Sequence, residues 1–264
     1  MAGYEAVHVV VAAPHIPEPE IIKKAATIVN KDPYQTRLLL SGGLPKFIAH
    51  YPDIEEAEST AQKLISLGLV AFVCKNSELR RPSKVFIAQT MEFLEGEVVF
   101  RDKVGQTKRI ISTDVFLILK GNLQISEGEE ITETKSKINW GATLLMGGIP
   151  IYHKVKEKSS SGTVREEPIV RLYNQESPES AVQMSQHGMA YSFLGAQLAP
   201  SSAANFNTVV AKLQELFPRA IFDDRLTKSS RSDSPSASTP DDLELRCKLL
   251  YLYYKTKSGL SRSE

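Results

Sequence analysis

Cysteine is almost missing from this chain. Its two thiols, Cys74 and Cys247, stand far apart and in no ligand-type spacing. That excludes a disulfide scaffold and a cysteine zinc site, and it predicts a reducing, cytoplasmic setting. No run approaches the roughly 20 apolar residues that a membrane-spanning helix needs. The formal net charge is only +1, so no global field draws the chain to nucleic acid or to an anionic membrane. Residues 1–14 lack a basic region followed by a long apolar core, and no signal peptide is expected. The Walker spacing, the dinucleotide fingerprint and a serine nucleophile elbow are all absent, which removes the commonest sequence signatures of phosphate binding and acyl transfer.

What is there reads as an ordinary globular chain. At 264 residues, 42% hydrophobic and 24% charged, it suits one or two domains. The stretch from Glu20 to Val73 organises the first. Ile21, Ile22, Ala25, Ile28 and Val29 recur at helical spacing behind Pro17 and Pro19. Asp32-Pro33 restarts the chain as an N-cap and first helical residue, and Ser41-Gly42-Gly43 ends this second, short helix. Leu44 to His50 reads as a strand. Ile54, Ala57, Ala61, Leu64 and Ile65 form the stripe of a third helix, Gly68 stops it, and Leu69 to Cys74 is a buried-type strand. Glu5 to Ala13, rich in valine, is the expected central strand, on which His8 and His50 face each other.

These residues resemble the C-terminal domain of the bacterial ribosomal stalk protein, a fold shared with the protease adaptor ClpS. Ile22-Lys23, Gln35-Thr36-Arg37, Gly43-Leu44-Pro45-Lys46, Glu55-Glu56-Ala57-Glu58 and Leu67-Gly68 fall without gaps on the family's pattern. The likeness covers about a quarter of the chain. It departs at Asn30-Lys31-Asp32-Pro33, where the family has a glycine-rich bend, and at Ala26, where the stalk helix carries an arginine that contacts factors. The resemblance implies an α/β sandwich over residues 1–80; it does not carry the stalk's function across.

Glu78 to Ser83 marks a boundary. Beyond it, short strands follow at Val85–Leu94, Glu97–Arg101, Lys108–Ser112 and Val115–Leu119, with hairpin chemistry at Glu95-Gly96 and Asp102–Gly105. Gly121 to Lys137 is polar and loses the pattern. The segment 142–153 is apolar, interrupted by glycine and preceded by Trp140, the chain's single tryptophan. Lys154 to Lys158 is basic and leads into a Ser-rich tip at 159–162. Ile169–Tyr173 and Ala181–Met184 are further strands. Ser201-Ser202 caps a helix whose stripe is Phe206, Val209, Val210, Leu213, Leu216 and Phe217, ended by Pro218. Strands closed by one helix over residues 84–226 resemble, in architecture only, a pleckstrin-homology-like barrel. The overall expectation is therefore α+β: a small stalk/ClpS-like sandwich followed by an antiparallel, barrel-like domain with a capping helix. Residues 227–240, dominated by Ser with Pro, Asp and Arg, read as a disordered linker, and 241–257 as an amphipathic helix.

Candidate chemistry is thin. Gly141 with Gly147-Gly148 reads as a bend between strands. Asp223-Asp224 reads as a solvated turn after the last helix, and it is also the one carboxylate pair available for acid–base work, with His153 and His187 as the available imidazoles. Lys23-Lys24, Arg80-Arg81 with Lys84, Lys108-Arg109 and Lys154, Lys156 and Lys158 are basic stretches. They offer an alternative reading, binding of anionic headgroups or RNA, but aromatics do not interleave with them as a stacking platform requires. The sequence thus predicts a cytoplasmic, non-enzymatic adaptor or regulatory protein with no cofactor or metal and a protein or peptide partner. Its expected contact residues are Lys23, Lys24, Arg37 and Lys46 on the first domain and Leu249, Leu252 and Tyr253 on the tail helix, which is also the candidate surface for homo-oligomerisation. The rival is an enzyme with a pocket between domains, using His153, His187, Asp223 or Asp224.

Overall fold

The computed structural model describes residues 5–13, 16–127, 130–138, 152–160, 163–176, 178, 181–227 and 239–260. Trp140, Gly141, Gly147, Gly148 and most of the Ser-rich segment lie outside the described residues. The protein combines helices with several sheets in an α+β arrangement. It divides into two compact units, Met1–Arg81 with Ser126–Thr163 and Lys248–Glu264, and Pro82–Ile125 with Val164–Cys247.

In the first unit, β1 (Val7–Ala12) lies between β2 (Lys46–Tyr51) and β3 (Val70–Lys75), antiparallel to both. All six residues of β1 are buried, as its unbroken apolar character requires. Val7, Val9 and Val11 pack with Ile22, Ala25 and Val29 of the α1 region (Pro19–Ile28) and with Ala57, Ala61 and Leu64 of α3 (Ile54–Ile65). The alternate residues His8, Val10 and Ala12 lie on the opposite face of the sheet. Between α1 and β2, α2 (Pro33–Leu39) begins at Asp32, whose carboxylate accepts from the Tyr34 and Gln35 amides. Past the end of α2, Gly42 and Gly43 adopt φ of 88° and 72°, the left-handed region that a β-branched side chain resists. Gly43→Val is therefore expected to cost about 1–2 kcal/mol, read as a lowered urea midpoint with an unchanged m-value; an unshifted midpoint would show that this break tolerates a Cβ. The first unit also holds α4 (Asn76–Arg80) and a ribbon of β9 (Glu130–Ile138) with β10 (Tyr152–Ser160), antiparallel in register from Ile138↔Tyr152 to Glu130↔Ser160.

The second unit carries two sheets. One is a meander of β5 (Thr90–Leu94), β6 (Glu97–Arg101) and β7 (Thr107–Ile111). The other has the order β13-β8-β11-β12-β4, built from β13 (Ile221–Leu226), β8 (Val115–Glu127), β11 (Thr163–Asn174), β12 (Val182–Ser185) and β4 (Phe86–Ile87). Within it β13 runs parallel to β8, and β12 parallel to β4. Among the described residues the strands do not close into a barrel. Met91, Val98 and Phe100 from the meander meet Ile118, Val170, Leu172, Val182 and Met184 from the larger sheet. Helix α5 (Ser202–Leu216), capped by Ser201, adds Phe206, Val209, Val210 and Leu213 to the same core.

Two local expectations fail for identifiable reasons. The polar stretch 121–137, expected to be irregular, lies mostly in β8 and β9. A two-stranded ribbon such as β9-β10 needs no apolar face, so no hydrophobic alternation announces it. Asp223-Asp224-Arg225, expected in a solvated turn, lies within β13. Asp223 is buried there because the Arg225 guanidinium reaches both of its carboxylate oxygens at 2.8–3.1 Å and the Arg225 amide donates at 2.8 Å, an offset supplied within the strand itself.

Candidate functional site

The strand β5 has the sequence Thr-Met-Glu-Phe-Leu. Met91 and Phe93, opposite Phe100 and Val98 of β6, turn toward the core. Thr90 and Glu92, opposite Arg101 and Val99, take the other face. Among the described residues β5 pairs with β6 alone. Beside it runs a 3-10 segment, Tyr191–Gln197, tied in place by the Ala190 amide donating to the Gln89 carbonyl at 2.7 Å and by the Tyr191 hydroxyl donating to the Gln186 carbonyl at 2.6 Å.

A cleft of about 470 Å³ opens here. Four consecutive residues of β5, Thr90 to Phe93, line it. Val99 and Arg101 contribute from β6, Phe193, Leu194 and Gln197 from the 3-10 segment, and Lys212 from α5. The Phe93 and Phe193 rings lie 6.2 Å apart, Tyr191 stands 6.4 Å from Phe193, and the Lys212 ammonium sits 5.6 Å from the Phe93 ring centre. That ammonium is held by the ring's negative face. Neither Lys212, Arg101 nor Glu92 has an ion-pair partner among the described residues. The lining thus mixes aromatic and apolar side chains with two cations, one carboxylate, Thr90 and Gln197.

Among the described acid–base candidates, His187 lies against a carboxylate. Glu167, 3% exposed, accepts from the His187 amide at 2.6 Å and lies 2.6 Å from its Nδ1, with the Arg165 guanidinium at 3.1 Å. That arrangement places the ring proton on Nδ1. Nε2 then faces the Gln186 amide nitrogen at 3.2 Å, a donor to an acceptor. Both ring nitrogens are engaged, and the pair reads as a well-satisfied surface turn. The side chain of His153 lies outside the described residues. Both thiols are deeply buried. Burial, reinforced by Glu78, pushes Cys74 up to about 12, and burial raises Cys247 as well, so neither is poised as a thiolate. No cluster of three or more metal-ligating side chains occurs among the described residues.

The expected contact residues divide. Lys23 and Lys24 are exposed on α1, the former 3.3 Å from Glu20. Arg37 is exposed in the last turn of α2, and the Lys46 ammonium donates to the Leu38 carbonyl at 3.1 Å at the same helix end. Leu249 and Tyr253 are buried within the chain and Leu252 is half-buried. They belong to α6 (Pro240–Leu260), whose buried positions Leu243, Cys247, Lys248, Leu249, Leu250, Tyr251 and Tyr253 run around the helix instead of along one stripe. In the second unit, Arg171 of β11 donates to Glu244 at 2.6 Å and to Gln183 at 2.7 Å, and Ser83 also donates to Glu244. In the first unit, the Lys248 ammonium donates to the Leu79 carbonyl at 3.1 Å and to that of Arg81. The cleft residues Phe93, Arg101, Phe193 and Lys212 were not legible as a group: they come from three distant segments, and each alone reads as core or solvated surface.

No known protein family, characterised protein or solved structure matches this chain. No helix among the described residues is long and apolar enough to cross a membrane.

Proposed function

We propose that the protein is a non-enzymatic, cytoplasmic adaptor or regulatory protein that recognises a protein or peptide, and that the cleft along β5 is its recognition site. The supporting observation is a cleft of about 470 Å³ in which the Phe93 and Phe193 rings stand 6.2 Å apart beside the Lys212 ammonium, an aromatic and cationic lining suited to peptide side chains. The finer fold reading belongs to the same proposal. The order β2-β1-β3 backed by α1 and α3 supports a stalk/ClpS-like first unit. The packing of α5 against both sheets supports a pleckstrin-homology-like second unit with α5 as its capping helix. In that scheme Lys23, Lys24, Arg37 and Lys46 supply a second, cationic contact surface on the first unit.

Panning a random peptide display library against the full chain tests the recognition site. Enriched peptides are expected to compete with one another and to lose binding to a Phe193→Ser variant that keeps the parent melting curve. Absence of any enriched peptide, or enrichment indifferent to Phe193→Ser, would sink the assignment of this cleft.

A further inference from the structure

We infer that the cleft takes the C-terminal residue of a partner protein, an apolar residue whose side chain lies on the aromatic wall and whose free carboxylate meets the Lys212 ammonium. The inference rests on the adaptor reading and names the part of the partner that enters. It starts from how the ladder sorts the lining residues. Met91 and Phe93 stand opposite Phe100 and Val98, on the core face of the meander. Thr90 and Glu92 stand opposite Arg101 and Val99, on the other face. Arg101 and Glu92 therefore put one charge of each sign on that other face. Lys212 lies at the Phe93 ring and is the only charged residue that lines the cleft on the Phe93 side. It carries no ion pair among the described residues. A half-buried ammonium without a counter-ion, set beside apolar rings, favours an anion there and repels a basic group.

The spacing of the two contact types selects a chain end. The ammonium stands 5.6 Å from the Phe93 ring centre, so the ligand's apolar group and its carboxylate lie within about one residue of each other. In an extended segment adjacent side chains turn to opposite sides, and an aspartate next to the apolar residue points away from the wall. On a helix the neighbouring positions are three or four residues apart, and a cleft of about 470 Å³ has the size of a small-molecule site, not of a groove for a helix. A C-terminal residue carries both groups on one Cα. The wall then sets which residue fits. The Phe93 and Phe193 rings are 6.2 Å apart and tilted by 49°, already in contact with each other, so a side chain lies across them and not between them. Met91 and Leu194 also line the cleft while nearly buried themselves. A phenylalanine or leucine end suits that surface; a polar side chain leaves its hydrogen bonds unmade there.

Fluorescence anisotropy on the full chain tests this with three synthetic peptides labelled at the N-terminus and otherwise alike. One ends in phenylalanine with a free carboxylate, one is the same peptide with a C-terminal amide, and one ends in glycine with a free carboxylate. The first is expected to bind, with an affinity that falls as salt is raised. The amide and the glycine peptide are each expected to bind at least about tenfold more weakly. Lys212→Met keeps an unbranched apolar stem beside Phe93 and is expected to bind acid and amide alike. Arg101→Met, on the other face, is expected to keep the preference for the acid; both variants are checked by melting curve. Equal binding of acid and amide by the parent overturns the inference, as does a preference that survives Lys212→Met. N-acetyl-phenylalanine competing as well as the whole peptide overturns a partner's chain end in favour of a free carboxylic acid. Failure of all three peptides, where the display library presented with free carboxyl ends still yields ligands sensitive to Phe193→Ser, overturns this inference alone; failure of both experiments removes the adaptor reading with it.

Discussion

Replacing Arg171 by alanine is expected to cost the second unit about 3 kcal/mol. The guanidinium is 8% exposed and donates at once to Glu244 at 2.6 Å, to Gln183 at 2.7 Å and to the Tyr173 hydroxyl at 3.4 Å. Removing it leaves a carboxylate and an amide oxygen with lost partners in a poorly hydrated place, and that desolvation exceeds the net worth of the pair itself. The figure lies at the lower end for a broken buried pair because Glu244 remains 25% exposed and water can reach it. Urea unfolding followed in Arg171→Ala, Glu244→Gln and the double variant separates the terms. The double variant is expected to lose less than the sum of the two singles. Strict additivity, or an unchanged midpoint in Arg171→Ala, would mean the network does not hold Glu244.

The second large effect is a dependence on acidity in the first unit. His8 is fully buried at the centre of the sheet, its ring 5.4 Å from Phe47 and 6.5 Å from His50. Neither ring nitrogen has a hydrogen-bond partner among the described residues. Burial, aided by the charge of His50 when protonated, pushes His8 down to about 4 from its ordinary value near 6.5. His50 is lowered too, by burial and then by Lys31. A lowered imidazole means the unfolded chain takes up protons that the folded chain refuses. Stability from this source is therefore complete above about pH 6.5 and drains away as the solution is acidified toward about pH 4. For His8 alone the loss between about pH 7 and pH 5 is about 2 kcal/mol, before most carboxylates begin to titrate. His8→Leu removes most of that slope. It also removes two unsatisfied buried nitrogens, so at neutral pH the variant is expected to be at least as stable as the parent. A parent midpoint that stays flat over this window would contradict the account.

How far the fold could be read ahead of the structure follows from how each element is stabilised. The valine run of β1, the stripes of α1 and α3 and the Ser201 cap of α5 announce themselves because one face, or both, must leave water. The glycines after α2 do so because only they take φ near +80° without strain. The polar ribbon β9-β10 and the strand carrying Asp223 were hidden for the opposite reason. Their pairing rests on the backbone, and in β13 on an arginine two residues from the aspartate, neither of which leaves a hydrophobic period. His187 was visible as a residue but not as a role, since Glu167, which orients it, stands twenty positions earlier. The cleft was least legible of all. Phe93, Phe193 and Lys212 meet only through tertiary structure.

The two lone cysteines have a use beyond what they exclude. Cys74 belongs to the first unit and Cys247 to the second, and each is 1–2% exposed and without a disulfide partner. A thiol reagent therefore meets either one only when the structure around it opens, and its rate of modification measures the frequency of that opening. Each unit thus carries its own native clock. Single replacement of one cysteine leaves the other to report alone, so whether the two units breathe together or separately can be timed without any added label.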